Sequence, residues 1–523
     1  MRRAPHRGRR ELAARAVCAA LAARHTMAAW VVCALCALVI LKPQEFIPAL
    51  EGIPLVHAAF GLTLLCVALD VVWRRLKPTL APQVVYALAF LAWAALTTAL
   101  KRPAALEERG LQLATVAGVF LAVAFAAASP RGVRALAITL VGCAVVTTAV
   151  AIVQAFQPYG CMLAAPDDWE GKGELEPDGR PCETNLDCRK DPPVPDGNYR
   201  CERPGPLGTS TIDGRVRYRG SLADPNELSL MAGMSIPLAI ALAERRGRRR
   251  APAAPGGAVP RAPAPPCGAR LRPALPLLLT DRLLSRAAAA LRALPVVAVI
   301  AAIGAMVVLS RSRSGVLVYL AVLGLTLIRW SGSLGAVAAC FIGPPMLLLG
   351  GRSGDEASES SEERVELLRE AFEMIRRTRG IGVGAGQFGD ESSLGLTAHN
   401  SYLLAASETG LLGMCLFALV LYASIKVPLS IWLGDAEVGP AARRFAPAIF
   451  VSLCGALLGI FFLSWAYKDV LYMTLGASAA LYGAARAEDA RISVRVSLRE
   501  VALVCGGMFA VLVLLNVLLR FLG

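Results

Sequence analysis

Charge is scarce in this chain: only 18% of its 523 residues are charged, where a soluble protein of that length carries about a quarter. Histidine is scarcer, with His6, His25, His57 and His399 making up the full set of four. There is no Asp-x-Asp pair, which counts against a metal-held nucleotide-sugar. A Gly-x-x-x-x-Gly-Lys phosphate loop is also missing, which counts against an ATP-driven pump.

What fills the chain is apolar. Hydrophobic residues make up 56% and the mean hydropathy is +0.55. Runs of about 20 apolar residues, enough to cross a bilayer, recur throughout. The expected fold class is all-α: a polytopic integral membrane protein with about 12–13 transmembrane helices and a large outward loop carrying an amphipathic helix. The spans fall near 26–42, 53–73, 80–100, 110–128, 133–156, 226–243, 294–310, 315–330, 332–350, 402–432, 446–466, 468–485 and 500–521. The lipid bilayer is therefore a partner. The net charge of +15 is read through its placement and not as a sign of nucleic acid, which is not expected as a partner.

Placing residues 1–25 inside, as a basic cytoplasmic tail, puts Arg74, Arg75, Lys77, Arg131, Arg134 and Arg245 to Arg250 in cytoplasmic loops, as the positive-inside rule asks. After the first bundle, 26–156, the loop 157–225 then faces outward with Cys161, Cys182, Cys188 and Cys201. These suit two disulfides in an oxidising compartment; a zinc site is the rival, and the spacing leaves the connectivity open. Span 226–243 leads to 244–292, an Ala/Pro/Arg-rich cytoplasmic segment whose composition predicts disorder. Helices over 293–350 precede an outward loop, 351–401, and the C-terminal helices fill 402–523. Within that loop, Val365, Leu368, Phe372 and Ile375 give 362–377 one apolar face.

Three outward sites carry polar residues. Arg219-Gly220 precedes Asp224-Pro225-Asn226; Asp224 and Asn226 suit either substrate contact or helix capping. The turn Ser310-Arg311-Ser312-Arg313-Ser314-Gly315 suits an anionic group such as a diphosphate, because guanidinium forks bind phosphate oxygens in pairs. Snorkelling to headgroups is the alternative. The third site follows a run with glycine at 380, 382, 384, 386 and 389, dense enough to end a helix and to bring backbone close to a sugar. It comprises Arg364, His399, Asn400 and Glu408. An ionisable residue inside a span, as Glu408 is, is a functional candidate, though pairing between helices explains it equally. His57, at the outer end of the second span, is the histidine that competes with His399.

Taken in order, Arg-Gly-…-Asp-Pro-Asn, Ser-Arg-Ser-Arg-Ser-Gly and Gly-Val-Gly-Ala-Gly-Gln-Phe…Ala-His-Asn-Ser-Tyr…Glu-Thr-Gly-Leu-Leu-Gly resemble the bacterial O-antigen ligase and polymerase family, most closely over 210–430. That resemblance implies a membrane glycosyltransferase at the periplasmic face of the bacterial inner membrane. Its donor would be a polyprenyl-diphosphate-linked glycan, its acceptor a lipid or glycan hydroxyl, with no cofactor and no metal. His399 would be the base that activates the acceptor hydroxyl, and Arg311, Arg313 and Arg219 would hold the diphosphate. Arg364, Asn400, Glu408, Asp224 and Asn226 complete the expected substrate site. The chemistry is coherent: histidine accepts a proton near neutral pH and fixed arginines stabilise the departing diphosphate. The cysteine loop, the Ala/Pro segment and an added C-terminal span depart from the family pattern. A polymerase of the same family, a flippase for lipid-linked sugars and a membrane-anchored binding protein are the alternatives.

Overall fold

The computed structural model describes residues 27–50, 52–165, 173, 175–244, 293–337, 355–434 and 438–521. The tail 1–25, the segment 245–292 and most of the expected span 332–350 lie outside them. The helices run α1 Met27–Leu41, α2 Leu55–Val72, α3 Pro82–Lys101, α4 Leu106–Ala126, α5 Pro130–Ala155 and α6 Pro225–Ala243. Then come α7 Ala293–Leu309, α8 Arg313–Ser331, α9 Asp355–Arg377, α10 Ser401–Leu433, α11 Pro440–Gly459, α12 Asp469–Glu488 and α13 Leu498–Phe521. Among the described residues, ten helices are long and apolar enough to cross a membrane. To these the fold adds the shorter apolar α7 and α12, whose hydropathy is lowered by Asp469, Arg486 and Glu488.

Helix starts follow the local chemistry. Ser129, Asp224, Ser312 and Asn400 each accept a backbone N–H at the first turn of α5, α6, α8 and α10, groups that otherwise lack an intrahelical partner.

Hydropathy and burial run in opposite directions. The most apolar span, α13 at a mean hydropathy of 2.6, buries nothing in its apolar window, while α6 at 1.4 is 83% buried. In lipid the exterior must be apolar, and the interior can hold small and polar residues that bond across helices. Helices α6 and α12 therefore form the centre, α6 against α5, α8 and α11, and α12 against α4, α10 and α11.

The described residues of loop 157–225 form a small lobe. Strands β1 Gly160–Ala164, β2 Leu175–Pro181 and β3 Tyr199–Glu202 form an antiparallel sheet in the order β2-β1-β3. Disulfides join Cys161 to Cys188 and Cys182 to Cys201, and these cysteines with Tyr199 are the lobe's core. A sheet this small cannot bury enough apolar surface alone, so covalent links take the place of a core. Gln154, fully buried at the end of α5, pins the lobe to the bundle: its Nε2 donates to Thr209 Oγ1 and its Oε1 accepts from Arg217 N, both at 3.0 Å.

Helix α9 is amphipathic as expected, but its buried face is turned. Leu367, Ala371, Phe372, Met374 and Ile375 are buried, while Val365 and Leu368 are only half-buried.

Candidate active site

The hinge between α7 and α8 is tied to the start of α6. Ser312 caps α8 by accepting from Gly315 N, and its hydroxyl donates to Asn226 Oδ1 at 2.6 Å. Ser229 and Ser310 share a hydrogen bond of 2.8 Å. Asp224 Oδ1 accepts from both the backbone and side-chain nitrogens of Asn226. The capping reading of Asp224 thus describes the structure, and the Asn226 oxygen is taken by the hinge. With their serines buried below, Arg311 and Arg313 stand exposed.

The glycine run meets a break in α10. At Gly410 the backbone is φ 74°, ψ −176°, so carbonyls of the preceding turn are left for other donors. Val383 N donates to Ser407 O at 3.0 Å and Gly384 N to Glu408 O at 2.9 Å, while Leu411 N donates to Gly380 O at 2.9 Å. A Cβ on Gly382 would lie 2.3 Å from Glu408 O; only glycine permits this approach. Glu408, 1% exposed, accepts from Gly386 N at 2.9 Å and Phe388 N at 3.0 Å. The glycines expected to approach a sugar instead bring the loop onto the broken helix, and Glu408 anchors that loop. Irregular backbone at this depth is tolerated because protein buries it.

His399 lies half-buried just before α10, with φ 46°. Arg311, at φ 47°, shares this left-handed conformation, which costs a non-glycine residue about 1–2 kcal/mol. Such strain concentrates at functional positions. A loop over 460–468, which the sequence reading compressed to one residue between spans, holds His399 in place. Ser464 Oγ accepts from His399 N at 3.0 Å. Ser401 Oγ donates to Leu463 O and accepts from Trp465 N. Trp465 Nε1 donates to Glu227 Oε1 at 3.0 Å, and Lys468 Nζ pairs with the same oxygen at 3.2 Å. Glu227 sits next to Asn226, so one chain of bonds runs from the arginine hinge to His399.

Residues 297–418 match the family model described as O-antigen ligase. That stretch is similar to an O-antigen ligase domain. No curated protein matches the chain.

The matched stretch holds most of α7, the hinge, α8, α9, the glycine loop, His399, Asn400 and Glu408. Arg219, Asp224 and Asn226 precede it, and the 460–468 loop follows it. Asn400 caps α10, its Oδ1 accepting from Tyr402 N and Leu403 N at 3.0 Å. Arg219 donates to Leu207 O at 3.0 Å and lies 4.0 Å from Glu45; Arg364 is half-buried on α9.

Two of the three basic residues of 101–109, Arg102 and Arg109, find local partners. Arg102, with Arg377, binds Glu391, and Arg109 lies against Gly386 and donates to Gln112. The Arg377 hydrogen bond, then that of Arg102, holds the Glu391 carboxyl below its ordinary value against the opposing effect of burial.

A cavity of 480 Å³ opens at this end of the bundle, lined by Lys42, His57, Glu108, Gln112, Lys468 and Asp469 among others. Its histidine is His57. Sequence reasoning missed Arg215 and Arg217, buried at 7% and 3% exposure, and Glu227; all three stand beside quoted motif residues. Among the described residues, Cys161, Cys182 and Cys188 are close enough to share a metal, but each is bound in a disulfide.

Proposed function

We propose that the chain transfers a glycan from a polyprenyl diphosphate to an acceptor hydroxyl, at the membrane face where the disulfide lobe lies. That face is outward, the periplasmic side of the bacterial inner membrane. His399 is the base, and Arg311 and Arg313, with Arg219 nearer the cavity, hold the diphosphate. The observation that carries this reading is the chain of bonds joining hinge, Asn226, Glu227, Trp465 and the His399 segment, which are remote in sequence. As the hydroxyl attacks the anomeric carbon, imidazole takes its proton. The carbon–oxygen bond to the diphosphate breaks and the guanidiniums stabilise the charge that leaves. No step requires a metal.

A second assignment of the base rests on the cavity, since His57 lines it. Transport is less well supported: broken helices serve transporters by leaving carbonyls for substrate, and here the glycine loop occupies those of Ser407 and Glu408.

The test is transfer in proteoliposomes from a polyprenyl-diphosphate-linked glycan. Removing a general base costs about 10²–10⁴-fold, so His399→Gln is expected to lose that much while His57→Ala stays active. The reverse pattern moves the base to His57. Full activity of both variants rejects histidine catalysis. Arg311→Lys and Arg313→Lys keep charge without the fork and are expected to fall well below wild type.

A further inference from the structure

We propose that Arg215 is a positioning residue for the arginine hinge, and that the disulfide lobe sets its position. The inference rests on the reading of Arg311 and Arg313 as the diphosphate-holding groups.

The path begins at a covalent bond. Cys182–Cys201 fastens β3, and the next residue, Glu202, is 3% exposed. Its carboxylate accepts from the Thr211 hydroxyl, from Asp213 N at 2.5 Å and from Gly214 N at 3.2 Å. Asp213 and Gly214 both have positive φ, 51° and 67°, the backbone of a tight type I′ turn. Ile212 and Arg215 close that turn through paired backbone bonds of 3.0 and 2.9 Å. The direction in which Arg215 leaves the lobe is therefore fixed by Glu202.

The guanidinium then reaches both sides of the hinge. Arg215 Nε donates to Ser310 O at 2.9 Å, and a terminal nitrogen donates to Asn226 Oδ1 at 3.3 Å. Ser310 precedes Arg311, and the same Asn226 oxygen accepts from Ser312, the residue that follows Arg311. One planar fork thus braces the residues flanking Arg311, which holds a strained φ of 47°. A lysine cannot make both bonds in that geometry. Paired phosphate recognition depends on placement within about an ångström, so loss of this brace is felt by the diphosphate without Arg215 touching it.

The experiment uses the full-length protein in phosphatidylcholine nanodiscs, with radiolabelled undecaprenyl diphosphate as the binding probe. Arg215→Met is expected to weaken binding about tenfold, because the hinge arginines lose their placement. Its thermal unfolding midpoint should fall modestly as buried acceptors lose their donor, with the protein still folded at the assay temperature, and Arg215→Lys should recover part of the binding loss. Reducing the disulfides in the wild type should weaken binding comparably. Reduction of Arg215→Met should add little, because both changes act through one contact.

Wild-type affinity in Arg215→Met overturns the proposal, and so do losses from reduction and substitution that multiply. Should Arg215→Met fail to fold, Glu202→Gln takes its place in the same comparison with reduction. Arg311→Ala separates the two readings. If it binds the probe normally, the hinge itself is misread and the proposal falls with it. If it fails while the Arg215 variants bind normally, only the positioning role is lost.

Discussion

The disulfide lobe and the glycine loop lie at the same end of the bundle, and each is organised by one buried carboxylate. Glu202 gathers Thr211, Asp213 and Gly214; Glu408 gathers Gly386 and Phe388. The difference lies in what else holds them. The lobe has a sheet and two disulfides of its own and touches the bundle at a few points. The glycine loop has no covalent link and borrows its order from carbonyls exposed by the break at Gly410. One segment brings its rigidity with it, and the other acquires rigidity from the membrane helix it lies on. The two should respond to different perturbations.

Reduction of both disulfides is the largest. In the chain-entropy account each closed loop of this length contributes about 3 kcal/mol, against sequence separations of 27 and 19 residues. Hydrogen exchange in β1 to β3 should accelerate while the glycine loop and α10 keep their protection. Accelerated exchange at Val383 and Gly384 as well would mean that the two segments are not independent.

Glu408→Gln perturbs the other side. Glutamine offers one acceptor and turns an N–H₂ toward a backbone donor, at a cost of about 1–3 kcal/mol for each buried amide left unpaired. Proteolysis within 380–400 is expected to increase and the lobe to stay protected. Unchanged cleavage would reduce the anchor to a bystander.

The smallest effect is at Glu391, which fastens the far end of the glycine loop to Arg102 and Arg377. Its pKa is lowered in the folded protein. The pairing therefore contributes at all pH above the unfolded value, about 4.3, and is lost as pH falls through the lower folded value. Both arginines are about half exposed, so water screens the pair and it is worth under about 1 kcal/mol. A spin label at Leu394 should gain mobility only at acid pH, and Glu391→Gln should remove that pH dependence. A transition at neutral pH would point to another group.

Much of this was readable in the residues. Composition and run length determined a polytopic helical membrane protein, because a 20-residue apolar segment has few stable states other than a span. Spacing marked α9 as amphipathic, and Asp224 and Ser312 stand where helices must start. The order of the motifs carried the resemblance to the O-antigen ligase family, and residues 297–418 match that family's model.

Three decisions belonged to tertiary structure. The hydropathy of α13 and α6 could not say which lies inside, since lipid and protein interior are both apolar. Four cysteines admitted three pairings; Cys161 lies opposite Cys201 in the sheet, yet the folded lobe joins Cys161 to Cys188 and Cys182 to Cys201. The roles of Glu408, Arg215 and the 460–468 loop depend on partners that lie 11 to 238 residues away. A side chain's chemistry states what it can bond to; which group arrives there is decided by how the helices pack.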